Sequence, residues 1–343
     1  MHICSITELT GFKIGHAQDR EGATGVTVIT SDSGQGLTAG VDVRGSAPGT
    51  RETDLLRPTN LVEQVHAVFL AGGSAFGLDA GSGIMSYLDE QNIGFPTGYA
   101  KVPIVTGAIL FDLGIGDPKT RPDAAMGYQA AESAKSLQEK SPTQGCVGAG
   151  TGAIAGKFLG EQYAMKTGLG IAAVKTGKLI VGAIIAVNCF GEVLNPNDEK
   201  SSLLAGAFDS EKEQFVTART AMSKSHRDDF VGDDTDNNAN TTNESGLNQN
   251  TTIGAVMTNA KLSKAGATKV SQMAHSGLSR TMRPAHSMLD GDAIFTLASG
   301  EVDSEITLVG DMASLAVEKA VINGTLHAKS SHGFPSYQDI ANK

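Results

Sequence analysis

The chain has 343 residues, 40% of them hydrophobic and 19% charged, with 27 Lys and Arg against 37 Asp and Glu and a formal net charge of −10. That length and apolar share support a substantial core, as one large domain or two ordinary ones, and exclude a disordered chain. The acidic balance, without a basic run or a stripe of aromatic and basic residues, argues against nucleic acid as a partner.

Cys4, Cys146 and Cys189 are odd in number, widely spaced and in no C-x-x-C pair. This fits a reducing compartment and predicts three buried thiols that act as small apolar residues. The N-terminal "MHICSITELTGFKIGH" lacks a basic region followed by an apolar stretch, and no segment reaches the run of about 18 apolar residues that a membrane helix needs. A cytoplasmic protein without a membrane partner is expected.

The 42 glycines, without a collagen-like period, predict many tight turns and close backbone approaches. In chain order, "GVTVIT" (25–30) and "AVFLAGG" (67–73) have the short apolar runs of buried strands bounded by turn signals. "SAFGLDAGSGIMSYLDEQ" follows as a helix, with Ser74 as its cap and Phe76, Ala80, Ile84 and Leu88 at near-helical spacing. "PDAAMGYQAAESAKSLQE" is a second helix opening at Pro122, and "LIVGAIIAVN" (179–188) a third strand. The last third alternates again: the strand "TTIGAVMTN", the helix "SKAGATKVSQMAHSGLSRTM", the strand "DAIFTLASG" and a final helix around "DMASLAVEKAVINGTL". The class is α/β, with strands buried on both faces.

The stretch from about Asp228 to Asn250, "DDFVGDDTDNNANTTNESGLNQN", is nearly devoid of apolar residues. It cannot bury enough surface to offset its ordering entropy, so it is expected to be a mobile linker, either a surface insertion or a place where the chain is cut. Cleavage between Asn250 and Thr251 would leave Thr251 with a free α-amine, whose ordinary pKa of roughly 7.7 to 8.0 lets it serve as base for its own hydroxyl. An N-terminal threonine is a recognised variant of the nucleophile and base pair. The similar Asn240, Thr241, Thr242 lies in polar sequence, whereas "TTIGAVMTN" would hold Thr251 at the head of a strand.

Asp290 and Asp292 flank Gly291 at the entrance to the next strand, where two close carboxylates could hold and pass a proton beside Thr251. Asn188, at the end of an apolar strand, is a candidate amide donor to an oxyanion, and Lys157 in "GTGAIAGKF" a candidate cation. "GAGTGA" (148–153) loosely matches a dinucleotide fingerprint but does not clearly follow a strand and open a helix. "GGSAFG" has Phe76 where a nucleophile elbow needs its second glycine. None of the eight histidines lies in an H-E-x-x-H, and His275 and His286 lack ligand spacing, so neither metal nor cofactor is expected.

The segments "ATGVTVIT", "GSAPGTRETDLL", "FLAGGSAFGLDAGSGIMSYLDE", "GFPTGYAKVPIVTGAILFDLGIGDPKTRPDAAMGY", "VGAGTGAIAGKF", "VGAIIAVNCFGEV", "NTTIGAVMTNAKLS" and "DGDAIFTLASG" follow one another in that order and carry a resemblance that runs over nearly the whole chain. Together they resemble the autoprocessing L-aminopeptidase/D-esterase family of N-terminal nucleophile hydrolases, with its nylon-oligomer and pantetheine hydrolase relatives. The resemblance implies an α-β-β-α sandwich and one hydrolase domain over residues 1–343. It further implies self-cleavage into a large subunit, 1–250, and a small one of 343 − 250 = 93 residues, 251–343, with 228–250 as the linker.

By matching motif, Thr251 resembles the nucleophile, Asn250 the residue across the cut, Asn188 the oxyanion-stabilising amide and Lys157 the active-site lysine of the nylon-oligomer hydrolases. Asp290 and Asp292 resemble the pair that orients the nucleophile. The aminopeptidase branch typically has serine as nucleophile and serine and glutamate at the paired positions, so Thr251, Asp290 and Asp292 bring this chain closer in motif to the 6-aminohexanoate-oligomer endohydrolases. The expected activity is hydrolysis of linear amides or short peptides through an acyl-threonine, with acyl transfer to an amine or a non-catalytic small-molecule-binding homologue as alternatives. The resemblance also implies a homotetramer.

Overall fold

Every residue of the strands Thr24–Ser31 and Leu179–Ala186 is buried, so both strands need cover on each face. The computed structural model, which describes residues 1–198, 201–224 and 250–341, provides it by stacking two sheets between two layers of helices. The first sheet runs His2–Cys4, Leu169–Thr176, Leu179–Ala186, Ile253–Ala260, Ala293–Val302, Leu37–Val43, Gln64–Val65. The second runs Lys135–Ser136, Phe12–Asp19, Thr24–Ser31, Ala67–Ala71, Val105–Ile109, Gly49–Arg51.

Alternate residues along each strand divide between layers, as a period of two requires. Ile184, Ala255, Met257 and Phe295 face Ile14, Ile29, Val68 and Leu70 of the second sheet. Their neighbours Ile185, Val256 and Ile294 face away, onto Val270, Ala274, Val309 and Val317 of the helices Lys264–Thr281 and Ile306–Leu326. On the far side, Val26, Val28 and Phe69 pack on Ile84, Leu88 and Ala130 of Ala80–Glu90 and Ala124–Glu132. These two helices touch at Gly83 and Gly127, where a Cβ would overlap the carbonyl oxygens of Ala124 and Ala80. Each large apolar side chain buried this way contributes about 1.5–3 kcal/mol, so layering rather than local propensity holds the elements in place.

The expected strands and helices are present, with shifted ends. Ser74 is not the side-chain cap of its helix: Gly73 occupies the cap position, Ser74 has φ 53°, and a 3-10 turn, Ser74–Asp79, precedes Ala80–Glu90. The second helix starts after Asp123, whose side chain accepts from Met126 N, instead of at Pro122. The helix expected around "DMASLAVEKAVINGTL" begins at Ile306, capped by Glu305, and a short helix, Tyr337–Ala341, follows it. Cys189 is buried as expected, but Cys4 and Cys146 are half-buried, and all three are free. Of the expected linker only Asn250 lies within the described residues. No helix among the described residues is long and apolar enough to cross a membrane.

One pairing sets the site. Ile253–Ala260 and Ala293–Val302 run parallel, with Ile253 opposite Ala293, in a sheet whose other pairings are antiparallel. Their starting ends therefore lie side by side. Antiparallel neighbours bring the end of Leu179–Ala186, through Ala186 opposite Ile253, and the end of Leu37–Val43, through Val43 opposite Ala293, to the same edge.

Candidate active site

Thr251 sits at that edge, buried, two residues before its strand begins. Its Oγ1 lies 2.5 Å from the carbonyl oxygen of Asn250, and its N–H donates to Asn188 O at 3.0 Å. The Gly291 N–H points at both oxygens, 3.0 Å from Asn250 O and 3.2 Å from Thr251 Oγ1. Parallel register explains this convergence, because Asn250 bridges Asp290 and the Gly291 amide follows directly.

Both carboxylates of the Asp-Gly-Asp turn are buried beside Thr251. Neither bonds to its hydroxyl. Asp292 Oδ1 accepts from Thr252 N at 2.8 Å, while its Oδ2 is met by His286. Asp290 Oδ2 accepts from Ser287 N at 2.9 Å and Ser287 Oγ at 2.5 Å. Burial first, and the charge of Asp292 second, hold the Asp290 carboxyl above the usual carboxylate range. The turn is clamped from outside by the loop after Leu37–Val43, where Arg44 N donates to Asp292 O and Ala47 N to Asp290 O, both at 2.9 Å. This loop runs from Arg44 into the "GSAPGT" stretch, whose role sequence reasoning left unassigned; the donors Gly291, Ser287 and His286 were likewise missed.

Asn188 and Lys157 meet on the other side. Asn188 Oδ1 accepts from Lys157 Nζ at 2.9 Å and from Ile154 N at 3.1 Å, and its Nδ2 donates to Phe111 O at 2.8 Å. One of the two Nδ2 hydrogens is thereby used to orient the amide. Burial brings Lys157 down to about 8, against which Cys189 and Asp290 pull upward. The glycine-rich turn at 148–153 serves the site through its backbone: Ile154 N follows it, and Lys166 Nζ binds Thr151 O and Ala153 O at 2.8 Å each.

Lys166 is also buried and brought down to about 8 by desolvation. An unfolded chain then binds more protons than the folded one between about 8 and the ordinary lysine value of 10.5, so stability rises with pH across that window. Lys166→Met is expected to show a smaller gain in urea midpoint between about pH 8 and about pH 10 than wild type; an unchanged gain would show that Lys166 is not part of it. Among the described residues no cluster of three or more His, Cys, Asp or Glu could hold a metal ion.

Residues 4–338 match Peptidase family S58. An uncharacterized aminopeptidase of Mycobacterium leprae (strain TN) is 37% identical over 97% of this chain and 93% of its own length. A 6-aminohexanoate-oligomer endohydrolase of Agromyces sp. (strain KY5R) is 30% identical over 92% of this chain and 80% of its own. Over the matched lengths the chain is therefore more similar to the former. Among solved structures, a Burkholderia sp. beta-aminopeptidase superposes with a TM-score of 0.67 at 18% identity, covering 98% of this chain and 92% of that one. The L-aminopeptidase D-Ala-esterase/amidase from Ochrobactrum anthropi, described as a new variant among the Ntn hydrolase fold, gives 0.66 at 17% identity over 94% of this chain and 86% of its own. The fold is of that kind.

Proposed function

The chain belongs to Peptidase family S58 and hydrolyses amide bonds, and from that premise we propose that Thr251 is its nucleophile, released by self-cleavage after Asn250. One observation carries the reading: the Thr251 hydroxyl lies against the carbonyl of the preceding residue, and a single amide N–H, that of Gly291, reaches both. In the first step Oγ1 attacks the Asn250 carbonyl carbon while the Gly291 N–H stabilises charge on the oxygen. The C–N bond breaks, the nitrogen takes up a proton, and an ester links Asn250 to Thr251 Oγ1. Water then hydrolyses the ester, leaving the Asn250 carboxylate and the free hydroxyl and amine of Thr251.

The same sequence, with the Thr251 amine as base, processes an external amide through an acyl-enzyme. Burial raises the proton affinity of Asp290 and lowers that of Lys157, which brings the two groups closer together in proton affinity. Asp292 positions the strand end through Thr252, and Asn188 supplies its remaining Nδ2 hydrogen to the oxyanion. Substrates are short peptides or other linear amides, in keeping with relatives named as aminopeptidases and as a 6-aminohexanoate-oligomer endohydrolase. The free cysteines support a cytoplasmic setting, and the product is a 1–250 and 251–343 pair that stays together as one hydrolase domain.

Under denaturing conditions purified wild-type protein is expected to give two masses that sum to the chain plus one water, the smaller beginning at Thr251. A fragment beginning elsewhere, or no cleavage, would sink the assignment.

A further inference from the structure

The two carboxylates of the turn are chemically alike but not held alike. Asp290 Oδ2 takes its two bonds from the N–H and hydroxyl of Ser287, both neutral donors. Asp292 Oδ2 takes both of its bonds from His286: the backbone N–H at 3.1 Å and ring Nδ1 at 2.8 Å. His286 has left-handed backbone, φ 57°, a conformation that histidine, asparagine and aspartate tolerate better than most side chains and glycine adopts freely. Its ring is 17% exposed and lies edge-on to His275, with centroids 4.8 Å apart. Its Nε2 is 3.4 Å from Ser279 Oγ. Behind it, His275 Nε2 contacts Asp42 O at 3.0 Å, and Arg44 pairs with Asp42 at 2.6 Å. Among the described residues, the titratable or charged groups in contact with the imidazole are Asp292 and His275, backed by Asp42 and Arg44.

We propose that His286 is a positioning residue of this hydrolase: by fixing Asp292 as an anion on the Thr252 N–H, it leaves Asp290 as the carboxyl of the pair that carries and passes the proton. The imidazole can present Nδ1–H to Asp292 while its Nε2 faces Ser279 Oγ. A charge-assisted bond of this kind stabilises the ionised acceptor. With one member of a close pair locked as an anion, the shared proton falls to the other. The elevated proton affinity of Asp290, caused by burial and then by Asp292, agrees with this division.

The inference rests on Thr251 being the nucleophile, and the test separates the two. His286→Gly keeps the backbone conformation and removes the donor, whereas His286→Asn tolerates the same backbone and carries an N–H near the position of Nδ1. His286→Gly is expected to lower the rate of self-cleavage and kcat by about tenfold or more, the scale of one charge-assisted bond, with KM changed by less than about twofold. Its acid limb should move to higher pH, because Asp292 then competes for the proton. His286→Asn should recover most of the rate. Wild-type rates and an unmoved acid limb in His286→Gly would overturn the role. So would a His286→Asn as slow as the glycine variant; where the glycine variant fails to fold, a His286→Asn about tenfold or more slower than wild type overturns it. A Thr251→Ala chain that is still cut after Asn250 would instead overturn the nucleophile beneath it.

Discussion

Thr251→Ala is expected to accumulate as one uncut 343-residue chain, with amide turnover lower by on the order of 10³-fold or more, while Thr251→Ser still cuts itself. Alanine removes the oxygen that lies 2.5 Å from Asn250 O and leaves the flanking backbone bonds, Thr251 N to Asn188 O and Asn250 N to Leu289 O, intact. The loss therefore reports chemistry and not folding, which circular dichroism and the thermal midpoint of the variant check. Serine keeps the hydroxyl and gives up only a methyl group. Intact mass and turnover of an amide substrate decide the matter, and an alanine chain that processes normally would remove Thr251 from the mechanism.

Gly291→Ala is the second large effect. Its N–H would remain, but a Cβ there would lie 2.5 Å from Ala47 O and 2.8 Å from Thr251 Oγ1, closer than side-chain carbons approach such atoms. The turn cannot retreat easily, since Ala47 N and Arg44 N hold the carbonyls of Asp290 and Asp292 from outside. Either the turn or the nucleophile must shift, and a displacement of about 1 Å at a reacting group lowers rates on the order of 10²-fold. Processing measured as a time course after expression should slow by that order, and circular dichroism checks that the variant keeps its fold. Unaltered processing would show that the Gly291 approach to Oγ1 is incidental to the chemistry.

Much of this site was legible in sequence because its residues lie at ends of strongly apolar strands. "AIIAVN" and "TTIGAV" identify their own boundaries, and Asn188 and Thr251 fall at those boundaries. The sandwich itself came from resemblance, for a fully buried strand looks the same under a sheet as under a helix. Strands such as Phe12–Asp19 and Leu37–Val43, "FKIGHAQD" and "LTAGVDV", interleave polar residues and glycine with apolar ones and escaped notice. What sequence could not convey was the parallel register that sets Gly291 beside Thr251, forty positions apart, because pairing is decided by the whole sheet. For the same reason Ser287 and His286, on an irregular segment, carried no periodic signal. Ser74 misled because its dipeptide context suits a cap while the backbone there takes a left-handed turn.

The parallel pair of Ile253–Ala260 and Ala293–Val302 also bears on timing. On the proposed cleavage both strands would lie in the small piece and their outer neighbours Leu179–Ala186 and Leu37–Val43 in the large one, so the seam between pieces would run twice through the middle of a sheet. The bond at Asn250 can meet its donor only after strands from all parts of the chain have been zipped into register. Under the proposed self-cleavage, cutting would act as a one-way stamp that assembly has finished, and a misregistered chain would stay unstamped and unarmed.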